Sequence, residues 1–333
     1  MTTLVTGSAG HLGEALMRHL RAHPDTRGEA RGIDLLASPF TDRTGSIADR
    51  GFVRECMRGI RTVLHTATLH KPHVATHAKQ DFVETNIAGT LALLEEAVAA
   101  GVQAFVFTST TSSFGSALTP AAGEPAAWIT EEVTPIPKNI YGATKTAAED
   151  LCQLFHREHG LHAIVLRTSR FFPEDDDDPR ARERHSLENA QANELLHRRA
   201  DIADIVEAHL CAARRAPALG FGRYIVSATT PFARDELALL RSDAPAVLRR
   251  HFPDCEALYE RRGWTLPAQL DRVYVNERAR RDLGWAPKHD FAQVLQSLRE
   301  SRDFRSDLAH AVGSKGYHAQ RFEDGPYPVY PVA

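Results

Sequence analysis

The chain has 333 residues, 43% hydrophobic and 25% charged, with a formal net charge of −3. That balance suits an ordinary globular protein with a large core. It gives no general attraction to nucleic acid or acidic membrane surfaces, and no apolar run is long enough to span a bilayer, so neither is expected as a partner. Cys56, Cys152, Cys211 and Cys255 are widely spaced without a C-x-x-C pair, which reads as buried free thiols in a cytoplasmic protein. The first residues enter a strand without a basic leader, so no signal peptide is expected.

Thr2 to Thr6 form a short apolar strand that runs into Gly7-Ser8-Ala9-Gly10-His11-Leu12-Gly13 and a helix to about Arg21. In such a turn Gly7 permits the tight bend, Gly10 lets backbone approach a pyrophosphate, and Gly13 lets helix and strand pack closely. The amides of His11 and Leu12 open the helix and face the phosphates. A second strand, about Glu29 to Asp34, ends in a carboxylate about twenty residues beyond Gly13, placed to accept ribose hydroxyls and repel a 2′-phosphate. Leu35 and Leu36 follow it, so NAD is expected over NADP. Arg31 reads as a charge on the solvent side of the strand.

His65, His70, His73 and His77 crowd one segment. No Asp or Glu stands among them, so no metal is expected and the segment reads as a loop lining a substrate mouth. A helical stretch, about Lys79 to Ala100, carries an apolar stripe at Leu91, Leu94 and Val98. The strand Ala104–Phe107 then ends in the hydroxyls Thr108, Ser109, Thr110 and Thr111. The span 116–140 is rich in Pro, Ala and Gly and lacks a period, as a long functional loop would.

The next helix, about Tyr141 to His159, opens Tyr141-Gly-Ala-Thr-Lys145, which places phenol and ammonium on one face. A free tyrosine has a pKa of about 10, so about one in a thousand is phenolate at neutral pH. A cation at about 4 Å and an effective dielectric of about 20 supplies about 4 kcal/mol, enough to lower that pKa by about 3 units. Tyr141 is therefore a candidate acid/base. With the strand Leu161–Arg167, six apolar strands separated by helices predict a doubly wound parallel sheet with its ligand at the strands' C-terminal ends.

With the glycine turn, the hydroxyl-rich strand end and Tyr-x-x-x-Lys in this order, the sequence resembles the extended short-chain dehydrogenase/reductase family of the NAD-dependent epimerase/dehydratase type, over residues 1 to about 300. The resemblance implies a Rossmann fold, an enzyme using NAD, and a homodimer paired through the Asn86 and Tyr141 helices. It implies that Thr110, five residues before Gly115, polarises the substrate oxygen, with Ser109 the alternative and Thr111 beside the substrate. Lys145 then lowers the Tyr141 pKa and binds the nicotinamide ribose, and Asn86 acts as a structural and proton-relay residue. Asn86 could equally do no more than satisfy backbone groups. Ser46 stands where relatives carry Asp and Ile47 packs on the adenine. Ala67 and His65 lie under the ribose and diphosphate, with Thr108 at the cofactor's edge.

Arg170 replaces the asparagine that holds a diphosphate in nucleotide-sugar epimerases, and the acid run Glu174–Asp178, read as a solvated loop, follows it. Asn189, Asn193 and Arg198 are expected to face the substrate. The domains expected are 1–170 with 199–230 as the Rossmann unit, 171–198 and 231–312 as a smaller, mainly helical substrate lobe, and 313–333 as an extended tail. The function expected is hydride transfer at a secondary alcohol or ketone of a sugar or sugar-like substrate, lacking a nucleotide and carrying a carboxylate for Arg170. The alternatives are a nucleotide-sugar 4-epimerase and a non-enzymatic NAD(H) sensor. Thr111-Ser112 after Thr110, in place of Asp-Glu, argues against a dehydratase.

Overall fold

A computed structural model describes residues 2–23, 29–174 and 179–315; most of the acid run and the tail from 316 lie outside the described residues. Strands that are apolar at successive positions send side chains to both faces and must be covered on both. Leu4 and Val5, Val63 and Leu64, and Phe105 and Val106 are such pairs, all fully buried. They belong to β1 (Thr2–Thr6), β4 (Ile60–His65) and β5 (Ala104–Thr110). With β2 (Ala30–Asp34), β3 (Arg43–Thr44), β7 (Ala163–Thr168) and β8 (Phe221–Val226) they form one parallel sheet, ordered β3-β2-β1-β4-β5-β7-β8.

Val5, Leu64, Val106 and Ile164 pack under the helices His11–Ala22 and Ile202–Leu219. Leu4, Val63, Phe105 and Val165 pack under Arg50–Met57, Gly89–Ala100 and Ile140–His159. Strand order reverses between β1 and β4, so the crevice expected of a doubly wound sheet opens at their C-terminal ends.

Several short elements were not foreseen. β3 has two exposed residues and carries no hydrophobic period. β6 (Ala127–Ile129) lies inside the stretch expected to be loop, and it pairs in parallel with β9 (Arg272–Tyr274), inside the region expected to be helical. The Lys79–Ala100 helix contains a π-helical turn at Val83–Ala88. The C-terminal lobe has its own core, in which Leu196, Leu240, Val247, Leu258, Trp264 and Phe291 pack together. Among the described residues no helix is long and apolar enough to cross a membrane.

The helix Ile140–His159 starts where the Asn139 side chain accepts the Gly142 amide and stops at Gly160, whose φ is +67°. Its inner face carries Tyr141, Lys145 and Glu149 at successive turns, all buried. Glu149 accepts Ser109 Oγ of β5 at 2.5 Å and Arg167 Nη2 of β7 at 2.7 Å, and lies 3.2 Å from Arg223 Nε of β8. Removing one partner of a buried pair leaves the other charge uncompensated, at about 3–5 kcal/mol. Glu149→Leu is therefore expected to lower unfolding free energy by about that much, read from urea denaturation with the m-value unchanged.

Candidate active site

Strand β1 ends in a turn whose Gly7 has φ +74°, and a Cβ there would lie 2.7 Å from the Ala67 amide nitrogen. A Cβ on Gly13 would meet the Gly7 carbonyl oxygen at 1.9 Å. Only glycine lets the first helix start this close to β1 and β4. Both residues line one large cleft of about 1080 Å³, together with Gly10, His11, Leu12, Asp34, Ser46, Ile47 and Ala67.

Asp34 receives the Ala9 amide on one carboxylate oxygen and the Leu36 amide on the other, each at 2.9 Å. Each oxygen keeps accepting capacity for a ribose hydroxyl. Arg31 is turned away, donating to the Cys56 and Arg58 carbonyls at the end of the Arg50–Met57 helix. Ser46 Oγ accepts the Ala48 amide, shaping its own turn, and Ile47 fills the space beside Gly89. These residues fit a dinucleotide: a glycine cradle beside a helix N-terminus, an acid for the ribose and an apolar wall.

His65 stands elsewhere than expected. Its ring is buried, hydrogen-bonded to Thr6 Oγ1 at 2.8 Å and Thr90 Oγ1 at 2.9 Å, and it is absent from the cleft lining. Two hydroxyls at its two ring nitrogens hold it between strand and helix. His70, His73 and His77 do line the cleft. His73 Nδ1 accepts the His70 amide and His77 pairs with Thr76, so they shape the loop. No group of three or more His, Cys, Asp or Glu side chains gathers as metal ligands would, among the described residues.

Tyr141 lies 3% exposed in the cleft, its ring 4.9 Å from that of His70. Burial pushes its phenol above the usual tyrosine value, and a hydrogen bond with Thr110 pulls the other way. Lys145 donates to the Thr108 carbonyl at 2.6 Å and lies 4.1 Å from the Phe107 ring centre. Burial lowers its pKa to about 7, against the pull of Glu149. The lowering of the phenol pKa expected from Lys145 is absent here, because desolvation dominates and the ammonium is turned to a carbonyl. The resting site holds a neutral phenol.

Thr108 Oγ1 bonds His209 Nε2 at 2.7 Å, so its carbonyl is the part engaged with the lysine. Ser109 gives its hydroxyl to Glu149, which leaves Thr110 as the hydroxyl beside Tyr141. Thr111 is buried at the cleft wall.

Asn86 is not in the cleft lining. Its Oδ1 accepts Thr68 Oγ1 and the Leu69 amide, and its Nδ2 donates to the Leu69 carbonyl and Thr144 Oγ1, at 2.8–3.1 Å. An amide side chain has two donors and two lone pairs, so this one is fully occupied and ties the cleft loop to the Tyr141 helix. A proton-relay role has no free atom to use.

Asn189 and Asn193 are also displaced from their expected place: both Nδ2 atoms donate to the Thr265 carbonyl, at 3.0 and 3.1 Å, inside the second lobe. Arg170 and Arg198 line the cleft, backed by Glu194. Burial raises Glu194, but Arg199, Arg198 and Arg170 hold its carboxyl well below the usual range. Glu174 is buried rather than solvated. It lies 2.9 Å from His11 Nε2, receives Ser314 Oγ at 2.8 Å, and is held below its usual pKa by His11 against the push of burial.

Arg272, Tyr274 and Lys138 also line the cleft and were not anticipated. The β-branched and aromatic run Val273-Tyr274-Val275 was the signal for β9.

A family model described as the NAD dependent epimerase/dehydratase family matches residues 3–224. The chain is 31% identical over 175 residues to a UDP-glucose 4-epimerase of Streptomyces lividans, covering 49% of this chain and 50% of that one. It is 27% identical over 183 residues to an NAD-dependent glucose-6-phosphate dehydrogenase of Haloferax volcanii, covering 49% and 66%. The chain spans about half the length of the curated relatives it matches. Among solved structures it is similar to a short-chain dehydrogenase/reductase superfamily protein from Agrobacterium tumefaciens with bound NAD, at TM-score 0.62 and 23% identity over 93% of this chain and 99% of that chain. MoeE5 in complex with UDP-glucose and NAD matches at TM-score 0.61 and 20% identity, over 90% and 99%. At these identities the structural likeness is one of fold.

Replacing Asn86 strands the half-buried Leu69 amide and carbonyl. Asn86→Ala is expected to lower stability by about 1–3 kcal/mol for each group left unpaired, seen as a fall in the urea midpoint.

Proposed function

Because the chain belongs to the NAD-dependent epimerase/dehydratase family, we propose that it is an NAD-dependent oxidoreductase acting at a secondary alcohol or ketone of a sugar or sugar-like molecule. The observation that carries this reading is the Tyr141 phenol, hydrogen-bonded to Thr110 with Lys145 one turn on, where the dinucleotide cradle meets the rest of the cleft.

The glycine turn and the amides behind it hold the pyrophosphate, Asp34 the adenosine ribose, and Ile47 the adenine face. NAD, when bound, supplies the hydride acceptor. Tyr141 handles the hydroxyl proton of the substrate: as neutral phenol it donates to a ketone, and as phenolate it accepts from an alcohol. Thr110 orients and polarises the same oxygen. Lys145, lowered by burial to a pKa of about 7, gains or loses its charge close to neutrality one turn from the phenol.

A 4-epimerase reading is favoured by the Streptomyces lividans relative. It uses the same proton and hydride chemistry in both directions within one turnover. The expected homodimer and cytoplasmic setting belong to this proposal too. All four cysteines are free and buried, in keeping with a reducing compartment.

Tyr141→Phe is expected to lower kcat by about 10²–10⁴-fold, the usual range for an acid/base group, while NAD affinity stays close to wild type. A variant keeping more than about a tenth of wild-type kcat would remove Tyr141 from the proton step. In titration calorimetry NAD is expected to bind about tenfold or more tightly than NADP, about 1.4 kcal/mol, because Asp34 repels a 2′-phosphate. Asp34→Asn should narrow the gap, and equal binding of both cofactors by the wild type would place Asp34 away from the ribose.

A further inference from the structure

The cleft is also lined by Lys138, Arg170, Arg198 and Arg272. Among the described residues that line it, Asp34 is the only acid, and it stands in the cofactor arm. Glu194, behind the wall, lies 3.9 Å from Arg170, 2.9 Å from Arg198 and 2.7 Å from Arg199, one carboxylate against three guanidiniums. This part of the lining is cationic.

Arg272 carries the sharper signal. Its Nη1 lies 3.0 Å from Asp271 Oδ2 and donates to the Leu118 carbonyl at 3.4 Å. Its Nε is buried and has no hydrogen-bond partner. Ser169, also in the cleft lining, has a buried hydroxyl without one. Native proteins rarely leave such groups unmet. A guanidinium that lines a cleft can meet a carboxylate or phosphate through two N–H groups.

The second lobe's asparagines do not reach this cleft. Both Asn189 and Asn193 donate to the Thr265 carbonyl, and the Thr265 amide donates to Asn189 Oδ1. Ala192, Leu195 and Leu196 fill the space behind, against Leu258 and Trp264. No described residue between Arg198 and Arg272 lines the cleft. The whole cleft, about 1080 Å³, is near the upper end of the roughly 300–1,000 Å³ of a single small-molecule site. A dinucleotide takes one arm, and the remainder suits a compact molecule.

Resting on the oxidoreductase reading, we propose that the substrate is a compact polyhydroxylated molecule bearing one oxyanion group, a carboxylate or a phosphate monoester. Arg272, with Arg198, seats that group, and no nucleotide is attached to it. Arg272 is thus the residue that sets substrate class.

The test uses the full chain loaded with NAD, with binding read by saturation-transfer NMR and calorimetry. The probes are glucuronate, gluconate, glucose 6-phosphate, glucose, UDP and UDP-glucose. A sugar acid or sugar phosphate is expected to bind, glucose about tenfold or more weakly, and UDP not to bind in the cleft; which anion binds identifies the group. Arg272→Met should weaken the anion about 10- to 100-fold, the loss of a charged hydrogen bond, and Arg272→Lys less, with NAD affinity unchanged as the check on folding. UDP or UDP-glucose binding as tightly as the small anions, no small anion binding, or an Arg272→Met variant that holds them unchanged would each overturn the proposal. Failure of NAD itself to bind would instead overturn the oxidoreductase reading.

Discussion

Glu149 is the constraint on which the active end of the molecule depends. A carboxylate fully removed from water costs several kcal/mol unless its oxygens are matched, and here the matching comes from three adjacent strands. Ser109 of β5, Arg167 of β7 and Arg223 of β8 converge on it. The helix that carries Glu149 is thereby fixed in rotation and in height against the sheet edge. Tyr141 lies eight residues back, about 12 Å along the axis, on the same face. The position of the phenol relative to Thr110 follows from an ion pair that touches no ligand.

The same burial governs the chemistry. Desolvation moves Tyr141 up and Lys145 down, both toward their neutral forms. A simple charge-pair argument predicts the opposite for the tyrosine, and it fails because the cation is spent on the Thr108 carbonyl and the Phe107 face. The lysine keeps a fractional charge at neutral pH because Glu149, one turn below it, opposes desolvation. The anchor of the helix is therefore also an electrostatic neighbour of Lys145.

What could be read from the residues followed how local the determinants were. The glycine turn, Asp34 and the parallel strands were legible because period, turn chemistry and spacing each act within a few residues. The partners of polar side chains were not. Asn189, Asn193 and Glu174 look like surface or ligand groups until their partners at Thr265, His11 and Ser314 arrive from far along the chain. His65 belongs with them, since hydroxyls from β1 and the Asn86 helix take both its nitrogens. The π-turn around Asn86 left no trace in the hydrophobic pattern, because it is set by contacts to Leu69 and Thr144.

The two-stranded sheet β6–β9 shows how a missed element can matter most for specificity. β6 lies in the chain between the Thr110 turn and the Tyr141 helix, and β9 belongs to the second lobe. Their pairing is extended by the Val275 amide donating to the Ile129 carbonyl and the Tyr274 amide to the His197 carbonyl. The Thr110 turn is held in turn by Ser116 and Ile136, whose amides donate to the Ile136 and Phe114 carbonyls. Backbone hydrogen bonds thus brace the Thr110 turn at one end of this stretch and the strand that carries Arg272 and Tyr274 at the other. Regular backbone pairing holds side chains more rigidly than a loop does, so Arg272 and Tyr274 sit on a stiffer support than the loops around them. The second lobe can therefore change its cleft-facing side chains while Tyr141 and Lys145 stay where Glu149 puts them.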